Sequence, residues 1–165
     1  MTPDEALPKL LLVDTNALIL YLVGQSDQAL ISRFKRTNKY NVADFEHLRN
    51  VIQRFGRIGR VVTTPHVLAE VSNLAGQLAE PGRTRVFRVL AAIIPELDER
   101  HAPARDFYES PEFVKIGIAD TAITNLVDSD YLVLTDDYRL AGTLSARGVQ
   151  ALNFNQFRLR RLLNE

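Results

Sequence analysis

Carboxylates follow two of the most apolar stretches of the chain, where they could serve acid–base or metal-dependent chemistry. Asp14 directly follows the run "LLLV", and Asp136 and Asp137 come just after "YLVL" in "YLVLTDD". Burying a charge costs free energy, so a carboxylate at the end of an apolar strand calls for an explanation. If both runs are parallel strands, their carboxyl ends lie at the edge where such sheets form ligand sites.

Two further acids lie at the borders of predicted apolar helix faces. At about 100° per residue, Glu70 lies roughly 40° from Leu74 around its helix, and Asp120 lies about 20° from Val127. Asp120 also falls in the first turns of its helix, where the helix dipole favours an anion. The pattern predicts that both side chains reach past the core towards the same edge of the sheet.

Each acid has a structural alternative when it is taken alone. Asp14 is compatible with an Asx turn. Glu70 and Asp120 are compatible with ordinary positions at the border of a helix face, and the pair Asp136 and Asp137 is compatible with a turn followed by a helix cap. The set as a whole favours chemistry, because converging carboxylates repel one another unless a cation neutralises them. Oxygen ligands suit Mg²⁺ or Mn²⁺, whereas three His and no Cys argue against zinc. The sequence therefore indicates a metal-dependent site for phosphoryl transfer.

The elements that must position these acids alternate along the chain. Such alternation predicts an α/β fold, a three-layer sandwich with a central, mostly parallel sheet of four or five strands. We expect strands at 10–13, 61–63, 131–134 and 149–152. We expect helices at 17–23, 44–55 (capped by Asp44), 64–79, 85–94, 116–127, 138–146 and 155–163. A turn is expected between Gly56 and Gly59, and an irregular surface stretch at 97–110.

Composition narrows the classes of protein without selecting one. The length of 165 residues predicts a single domain, 1–165. The net charge is zero, so the charge of the whole chain does not indicate a general attraction to nucleic acid. The absence of Cys excludes disulfides and thiol catalysis. No apolar run is long enough to span a membrane, and the acidic start 1–7 does not read as a signal peptide. A cytoplasmic location is the expectation.

Four ordered segments resemble the PIN-domain family, and in particular the VapC-type toxin ribonucleases. They are "LLLVDTNALI", "TTPHVLAEVSNL", "IGIADTAI" and "LVLTDDYRLA", and the similarity spans the chain from Leu10 to Phe157. Each motif is weak alone, whereas the ordered set is specific. The resemblance implies a PIN-like sandwich and an Mg²⁺- or Mn²⁺-dependent endoribonuclease that hydrolyses RNA phosphodiester bonds.

The resemblance also implies roles for individual residues. Asp14, Glu70, Asp120 and Asp137 would be the catalytic, metal-binding carboxylates, while Asp136 could replace Asp137 or support it. The positions that shape the site or contact the phosphate match Thr15, Asn16 and Thr135. The stretch around 24–60 is longer than in compact toxins of this kind and includes an extra helix.

Partners follow from the same resemblance and from basic clusters. An antitoxin protein and a second copy of the chain, forming a homodimer, are the implied protein partners. Candidates for holding RNA are Ser32–Tyr40, Arg57 with Arg60, and Arg158–Arg161. Phe34 and Tyr40 could stack on unpaired bases, although a solvated loop is an equal alternative. His66 could approach substrate, but a surface or capping role is favoured.

Two other functions remain open from the sequence. A haloacid-dehalogenase-type phosphatase also begins with an Asp at a strand end, but it requires a second Asp where this chain has Asn16. A catalytically inactive PIN-like scaffold that binds RNA or protein is the other alternative. Neither the RNA target nor the presence of an antitoxin can be deduced from the residues.

Overall fold

A five-stranded, all-parallel sheet lies at the centre of the protein, with helices packed around it. The computed structural model describes residues 8–58 and 60–164. The expectation for 1–7 and the turn residue Gly59 lie outside these described residues. The same is true of the side chains of Arg57 and Arg161, which were proposed to hold RNA.

The described residues form five strands and seven α-helices, in the alternating order that the sequence predicts. The strands are β1 (Leu10–Val13), β2 (Arg60–Thr63), β3 (Asp98–Glu99), β4 (Tyr131–Thr135) and β5 (Gln150–Asn153). The helices are α1 (Thr15–Ser26), α2 (Val42–Ile58), α3 (Pro65–Ala75), α4 (Gly82–Ile93), α5 (Phe113–Leu126), α6 (Tyr138–Ala146) and α7 (Phe154–Asn164). The α/β class and the sandwich architecture are confirmed.

The strand order β3-β2-β1-β4-β5 makes β1 the central strand. The chain passes from β1 to β2 and β3 on one side, then crosses to β4 and β5 on the other. The direction of winding therefore reverses between β1 and β4. In parallel sheets, the crevice at the carboxyl ends of two such strands is where ligands bind.

Strand β1 and helix α1 consist largely of continuous apolar runs and lie at the centre of the hydrophobic core. Leu11 and Leu12 are fully buried, and α1 buries residues on nearly all sides, since it packs against α2, α3 and α4. Gly24 allows the closest of these approaches, because an added Cβ would lie 2.2 Å from the ring of Phe45 in α2. A helix that is apolar all round is expected to be enclosed in this way.

Several predicted boundaries are wrong, each for a local reason. Helix α2 begins earlier than predicted, because Asn41 is its cap: Asn41 Oδ1 accepts from the N–H of Asp44, and Asp44 Oδ2 accepts from the N–H of Asn41. This reciprocal pair is a capping box. Gly56 continues α2 instead of forming a turn, and α3 ends at Ala75, four residues before the predicted end.

The stretch 97–110 is more ordered than predicted, since it contains the edge strand β3 and a short 3₁₀ helix, Ala104–Asp106. Strand β3 has two charged residues and no apolar run, so nothing in its sequence distinguishes it from a loop. Within the described residues, no helix combines the length and the apolar character needed to cross a membrane.

Candidate functional site

Asp14 lies at the carboxyl end of the central strand and caps the helix that follows. Its side chain accepts the N–H of Thr15 at 2.7 Å and the hydroxyl of Thr135 at 2.6 Å. Its own N–H donates to the carbonyl of Leu134 at 2.9 Å, so the β1–β4 ladder extends to this residue. Asp14 is 5% exposed. Asp14 is the cap residue of α1, but its side chain accepts the N–H of the next residue and not of the one after it, so the geometry differs from the Asx turn that the sequence allows. The same side chain lines the crevice.

Glu70 reaches the same crevice from helix α3. Thr64 caps this helix by accepting the N–H of Val67, and Pro65 occupies its first turn, as the sequence predicts. Glu70 lies on the exposed side of the helix border, and its Oε2 accepts the hydroxyl of Thr15 at 2.8 Å. The first residue of α1 therefore links the carboxylates of two separate elements.

Asp120 enters the crevice from α5, just after a break in that helix. Gly117 has φ 79° and ψ 179°, a conformation that is essentially restricted to glycine, so the helical path stops and restarts there. Thr121 ties the restarted helix to the break, because its hydroxyl donates to the carbonyl of Gly117 at 2.6 Å. The sequence predicts one continuous helix here, and that prediction is wrong at Gly117.

Asp136 and Asp137 are adjacent in sequence but have different surroundings. Asp137 caps α6, accepting the N–H groups of Arg139 and Leu140, and its side chain lines the crevice. Asp136 is 5% exposed and lies outside the crevice lining. Its carboxylate accepts three hydrogen bonds, which come from Lys39, Tyr40 and Asn16.

The crevice forms an open cleft of about 310 Å³. Six of the eight residues predicted for the site line it: Asp14, Thr15, Asn16, Glu70, Asp120 and Asp137. The two others bind cleft residues: the Thr135 hydroxyl donates to Asp14, and Asp136 accepts the side-chain amide of Asn16. The remaining wall is formed by residues that the sequence did not single out: Asn73, Leu74 and 116–119.

The acids of the cleft raise one another's pKa, most evidently that of Asp120. Burial raises the pKa of Asp14 to about 6, against the hydrogen bonds from Thr135 and from the N–H of Thr15, which lower it. Burial also raises the pKa of Asp120 to about 8, and the charges of Asp14, Asp137 and Glu70 contribute to the rise. Such mutual repulsion requires the four carboxylates to lie near one another.

Asp136 behaves in the opposite way. Burial alone would raise its pKa, but the hydrogen bonds from Lys39, Tyr40 and Asn16 outweigh burial, and the pKa of Asp136 lies below its ordinary value. Tyr40 shows the matching effect, since burial and its hydrogen bond to Asp136 raise the pKa of the phenol. Asp136 is thus a stably ionised carboxylate with a cation of its own.

The donor set of the cleft fits a hard divalent cation in its chemistry, because all four acids offer oxygen and none of the lining residues is Cys or His. As the side chains stand, however, no group of three or more acidic or His residues in the described part of the chain is close enough to hold an ion. Two of the carboxylates are engaged instead with hydroxyl donors, Asp14 with Thr135 and Glu70 with Thr15. A bound cation therefore requires that some of these side chains turn towards one another.

The aromatic residues proposed to stack on RNA do not face solvent. Phe34 is 6% exposed and Tyr40 is 3% exposed, and both belong to the main hydrophobic core. The stacking prediction is therefore wrong for both residues. An aromatic residue between basic ones fits a buried, amphipathic turn as well as a base platform, and the sequence alone did not distinguish them.

The basic clusters differ in their position relative to the cleft. Arg60 begins β2 and so lies at the amino edge of the sheet, opposite the cleft, where it pairs with Asp98. Arg158 lies on α7, which starts directly after β5 at the cleft edge, and its charge acts on Tyr40. His66 packs edge-on against Phe107 outside the cleft lining, in keeping with the favoured non-catalytic interpretation.

Sequence reasoning missed the contributions of Lys39, Tyr40 and Gly117. Glycine before "IAD" was the available signal for the break in α5, because a lone glycine in a helical pattern often marks an interruption. The segment with Lys39 and Tyr40 was expected to hold RNA, and no local signal pointed to its contact with Asp136, which lies about a hundred residues away in the chain.

No model of a known protein family matches the chain, and no curated protein matches it either. The fold and the site therefore stand on the geometry described above.

Proposed function

We propose that this protein is an Mg²⁺- or Mn²⁺-dependent endoribonuclease of the PIN type that hydrolyses RNA phosphodiester bonds. The observation that carries the proposal is the cleft at the point where the sheet reverses its winding, because four carboxylates from four separate elements line it. Mutual repulsion among them, most evident in the raised pKa of Asp120, is the electrostatic situation that a cation relieves.

The residues of the cleft have two roles in the proposed function: some position the carboxylates and others contact the substrate. Thr135 and Thr15 donate hydroxyls that fix Asp14 and Glu70. Asp120 and Asp137 supply further oxygens from the starts of two helical segments. Asn16, exposed beside them, presents an amide that suits a phosphate oxygen. When bound, the divalent cation would neutralise the acids and act as a Lewis acid on the phosphate.

Replacement of single acids tests this proposal. We expect Asp14→Asn and Asp120→Asn to lower Mn²⁺-dependent cleavage of single-stranded RNA by at least about 100-fold. The Asp120 variant is the more secure of the two in folding, because burial and neighbouring charges already favour a neutral side chain there. Circular dichroism and thermal unfolding check that each variant is folded.

Glu99→Gln is the matched control for these variants. Glu99 also ends a strand of the same sheet, but it is exposed and lies outside the cleft lining. We expect it to keep full activity. Cleavage at the wild-type rate by both Asp variants would overturn the assignment.

A non-catalytic scaffold that binds RNA or protein is the second candidate. It is favoured by one observation, namely that no three acids in the described residues stand close enough to hold an ion. Calorimetric titration with Mn²⁺ separates the two functions. Heat of binding that Asp120→Asn removes supports the enzyme, whereas no binding at millimolar Mn²⁺ supports the scaffold.

The biological setting belongs to the same proposal. A role as the toxin of a toxin–antitoxin pair and a homodimeric state are implied by the resemblance to VapC-type ribonucleases, whereas a cytoplasmic location is expected from the composition. They stay predictions, and a small DNA-binding protein encoded beside this chain would support the first of them.

A further inference from the structure

Donors from two distant parts of the chain bind the carboxylate of Asp136. Its Oδ2 accepts the ammonium of Lys39 and the hydroxyl of Tyr40, each at 2.6 Å. Its Oδ1 accepts the side-chain amide of Asn16 at 3.0 Å. The charge and most of the hydrogen-bonding capacity of Asp136 are therefore used by groups of the protein itself, which distinguishes Asp136 from the acids that line the cleft.

Tyr40 is held firmly by the segment between α1 and α2. The ring of Tyr40 is buried, with its centroid 5.6 Å from that of Phe154. The N–H of Tyr40 donates to the carbonyl of Thr37 at 2.8 Å, and the Thr37 hydroxyl donates to the carbonyl of Ile31 at 2.8 Å. The chain then enters α2 through the Asn41 cap. This segment thus holds the phenol of Tyr40 in place, while the ammonium of Lys39 reaches Asp136 from a side chain that is 42% exposed.

Asn16 is where this network meets the cleft. It follows Thr15 at the start of α1, is exposed, and lines the cleft beside Asp14. One amide hydrogen is committed to Asp136, which fixes the orientation of the whole planar group. Among the described residues, the other amide hydrogen and the carbonyl oxygen of Asn16 take no partner, which leaves them free to contact a ligand in the cleft that Asn16 lines.

We infer that Asp136 is a positioning residue which, together with Lys39 and Tyr40, orients the Asn16 amide towards an RNA phosphate in the cleft. The inference rests on the proposed function and deepens it, because it gives the segment between α1 and α2 a direct role in the site. It also takes Asp136 out of the set of metal ligands and leaves Asp137 as the fourth acid. Lys39 lies 2.6 Å from the Asp136 carboxylate and offsets part of its charge. The remaining charge still acts on Asp14 and Asp120.

Coupling between Tyr40 or Lys39 and Asn16 is the property to measure. We expect Tyr40→Phe and Lys39→Ala each to change RNA cleavage about five- to tenfold, in the same kinetic parameter, kcat or KM, that Asn16→Ala changes. In an Asn16→Ala background, neither substitution should have a further effect, because the group through which they act is gone. A purely structural role would give additive losses in both backgrounds.

Matched controls separate this effect from general loss of a hydroxyl or a charge. Tyr21→Phe removes a phenol hydroxyl from a ring that packs against the same core, 6.5 Å from Phe45. Lys9→Ala removes an exposed ammonium at the amino edge of the sheet, before β1. Both variants should cleave RNA as the wild type does. A large rise in KM for Lys39→Ala that persists without Asn16 would identify Lys39 as a direct RNA contact and overturn the inference.

A spectroscopic readout keeps the inference testable if the wild type proves inactive. The side-chain amide resonances of Asn16, assigned by their loss in Asn16→Ala, should shift in Tyr40→Phe and Lys39→Ala but not in Tyr21→Phe or Lys9→Ala. Unshifted resonances in the first pair would contradict the inference. Absence of Mn²⁺-dependent cleavage by the wild type would instead contradict the proposed function.

Calorimetry with Mn²⁺ tests the assignment of the fourth acid. We expect Asp136→Asn to bind Mn²⁺ about as tightly as the wild type, and Asp137→Asn to bind it at least tenfold more weakly. Equal weakening by both substitutions would overturn the positioning role of Asp136.

Discussion

Two buried carboxylates, Asp14 and Asp136, illustrate how partners decide the chemistry of an acid. Both are 5% exposed. Asp14 accepts from two neutral donors among the described residues, Thr135 and the Thr15 N–H, and burial raises its pKa to about 6. Asp136 has an ammonium and a phenol as donors, and its pKa falls below the ordinary value. The first acid is left in need of a cation, whereas the second already has one.

The raised pKa values predict a pH dependence of stability for the metal-free protein. Folded Asp120 keeps its proton up to a pH of about 8, whereas the unfolded chain releases it near the reference value of 3.8. The folded state therefore binds more protons, so the free energy of unfolding falls as the pH rises from about 4 to about 8. Asp14 contributes in the same direction up to a pH of about 6. Urea unfolding in the presence of a chelator, at a series of pH values, measures the slope.

Asp120→Asn is the control for this pH dependence. One titrating group changes the free energy of unfolding by at most about 1.4 kcal/mol per pH unit. Most of the decrease in the free energy of unfolding between pH 6 and 8 should therefore be absent in the variant. Adding Mn²⁺ to the wild type should reverse the loss at pH 8, since the ion binds the ionised carboxylates of the folded state. A stability that rises between pH 6 and 8 without metal would contradict the assignment.

At the scale of elements, the break in α5 is what brings an acid to the cleft. Gly117 interrupts the helix three residues before Asp120 and itself forms part of the cleft wall. The restarted helix then presents Asp120 close to its beginning, where the helix dipole favours a negative charge. A continuous helix with the same residues would direct this side chain differently.

Substitution of this glycine tests the role of the break. An added Cβ at Gly117 meets no atom of the described residues within 4 Å, so the positive φ is what opposes a side chain there. We expect Gly117→Ala to lower the free energy of unfolding by about 1–3 kcal/mol and to weaken Mn²⁺ binding, because relaxation of the break displaces Asp120. Thermal unfolding and calorimetry measure the two effects.

Gly142 provides the matched control. It lies within α6, its Cβ position is equally open, and its φ is not positive. Gly142→Ala should therefore stabilise the protein, by about 0.5–1 kcal/mol. Destabilisation of the two variants by equal amounts would show that backbone conformation is not what matters at Gly117.

At the scale of the whole molecule, the strand order places the cleft and the most buried part of the core on the same strand, β1. The central strand β1 pairs with β2 on one side and β4 on the other, so Asp14 lies between elements that are far apart in sequence. The same strand supplies fully buried leucines to the core. Site and core therefore share one strand, the acid at its end and the apolar residues along it.

This arrangement predicts unequal costs for truncating leucines on different strands. Leu12→Ala in β1 should lower the free energy of unfolding by about 3–4 kcal/mol, because a fully buried site in the middle of the sheet cannot collapse around the cavity. Leu152→Ala in the edge strand β5, where the side chain is half-buried, should cost about 1 kcal/mol. Equilibrium unfolding in urea compares the two variants, and equal costs would contradict the central role of β1.

The sequence alone determined most of the local elements and the candidates for chemistry. Apolar runs with no polar alternation, such as Leu10–Val13, indicate strands buried on both faces, and Thr64 with Pro65 sets the start of α3. The acids at strand ends and helix borders could be selected in advance, because the carboxyl edge of a parallel sheet is a shared location. These features depend on neighbours within a few residues, which the sequence displays directly.

Only the tertiary structure decided which groups meet. Nothing near Asp136 in the chain reveals that Lys39 and Tyr40 donate to it, and nothing near Tyr40 reveals that its ring is buried rather than free to stack on RNA. The division of roles between Asp136 and Asp137 follows from those contacts. Hydrogen bonds and burial across about a hundred residues depend on how strands and helices pack together, and packing is a property of the whole chain.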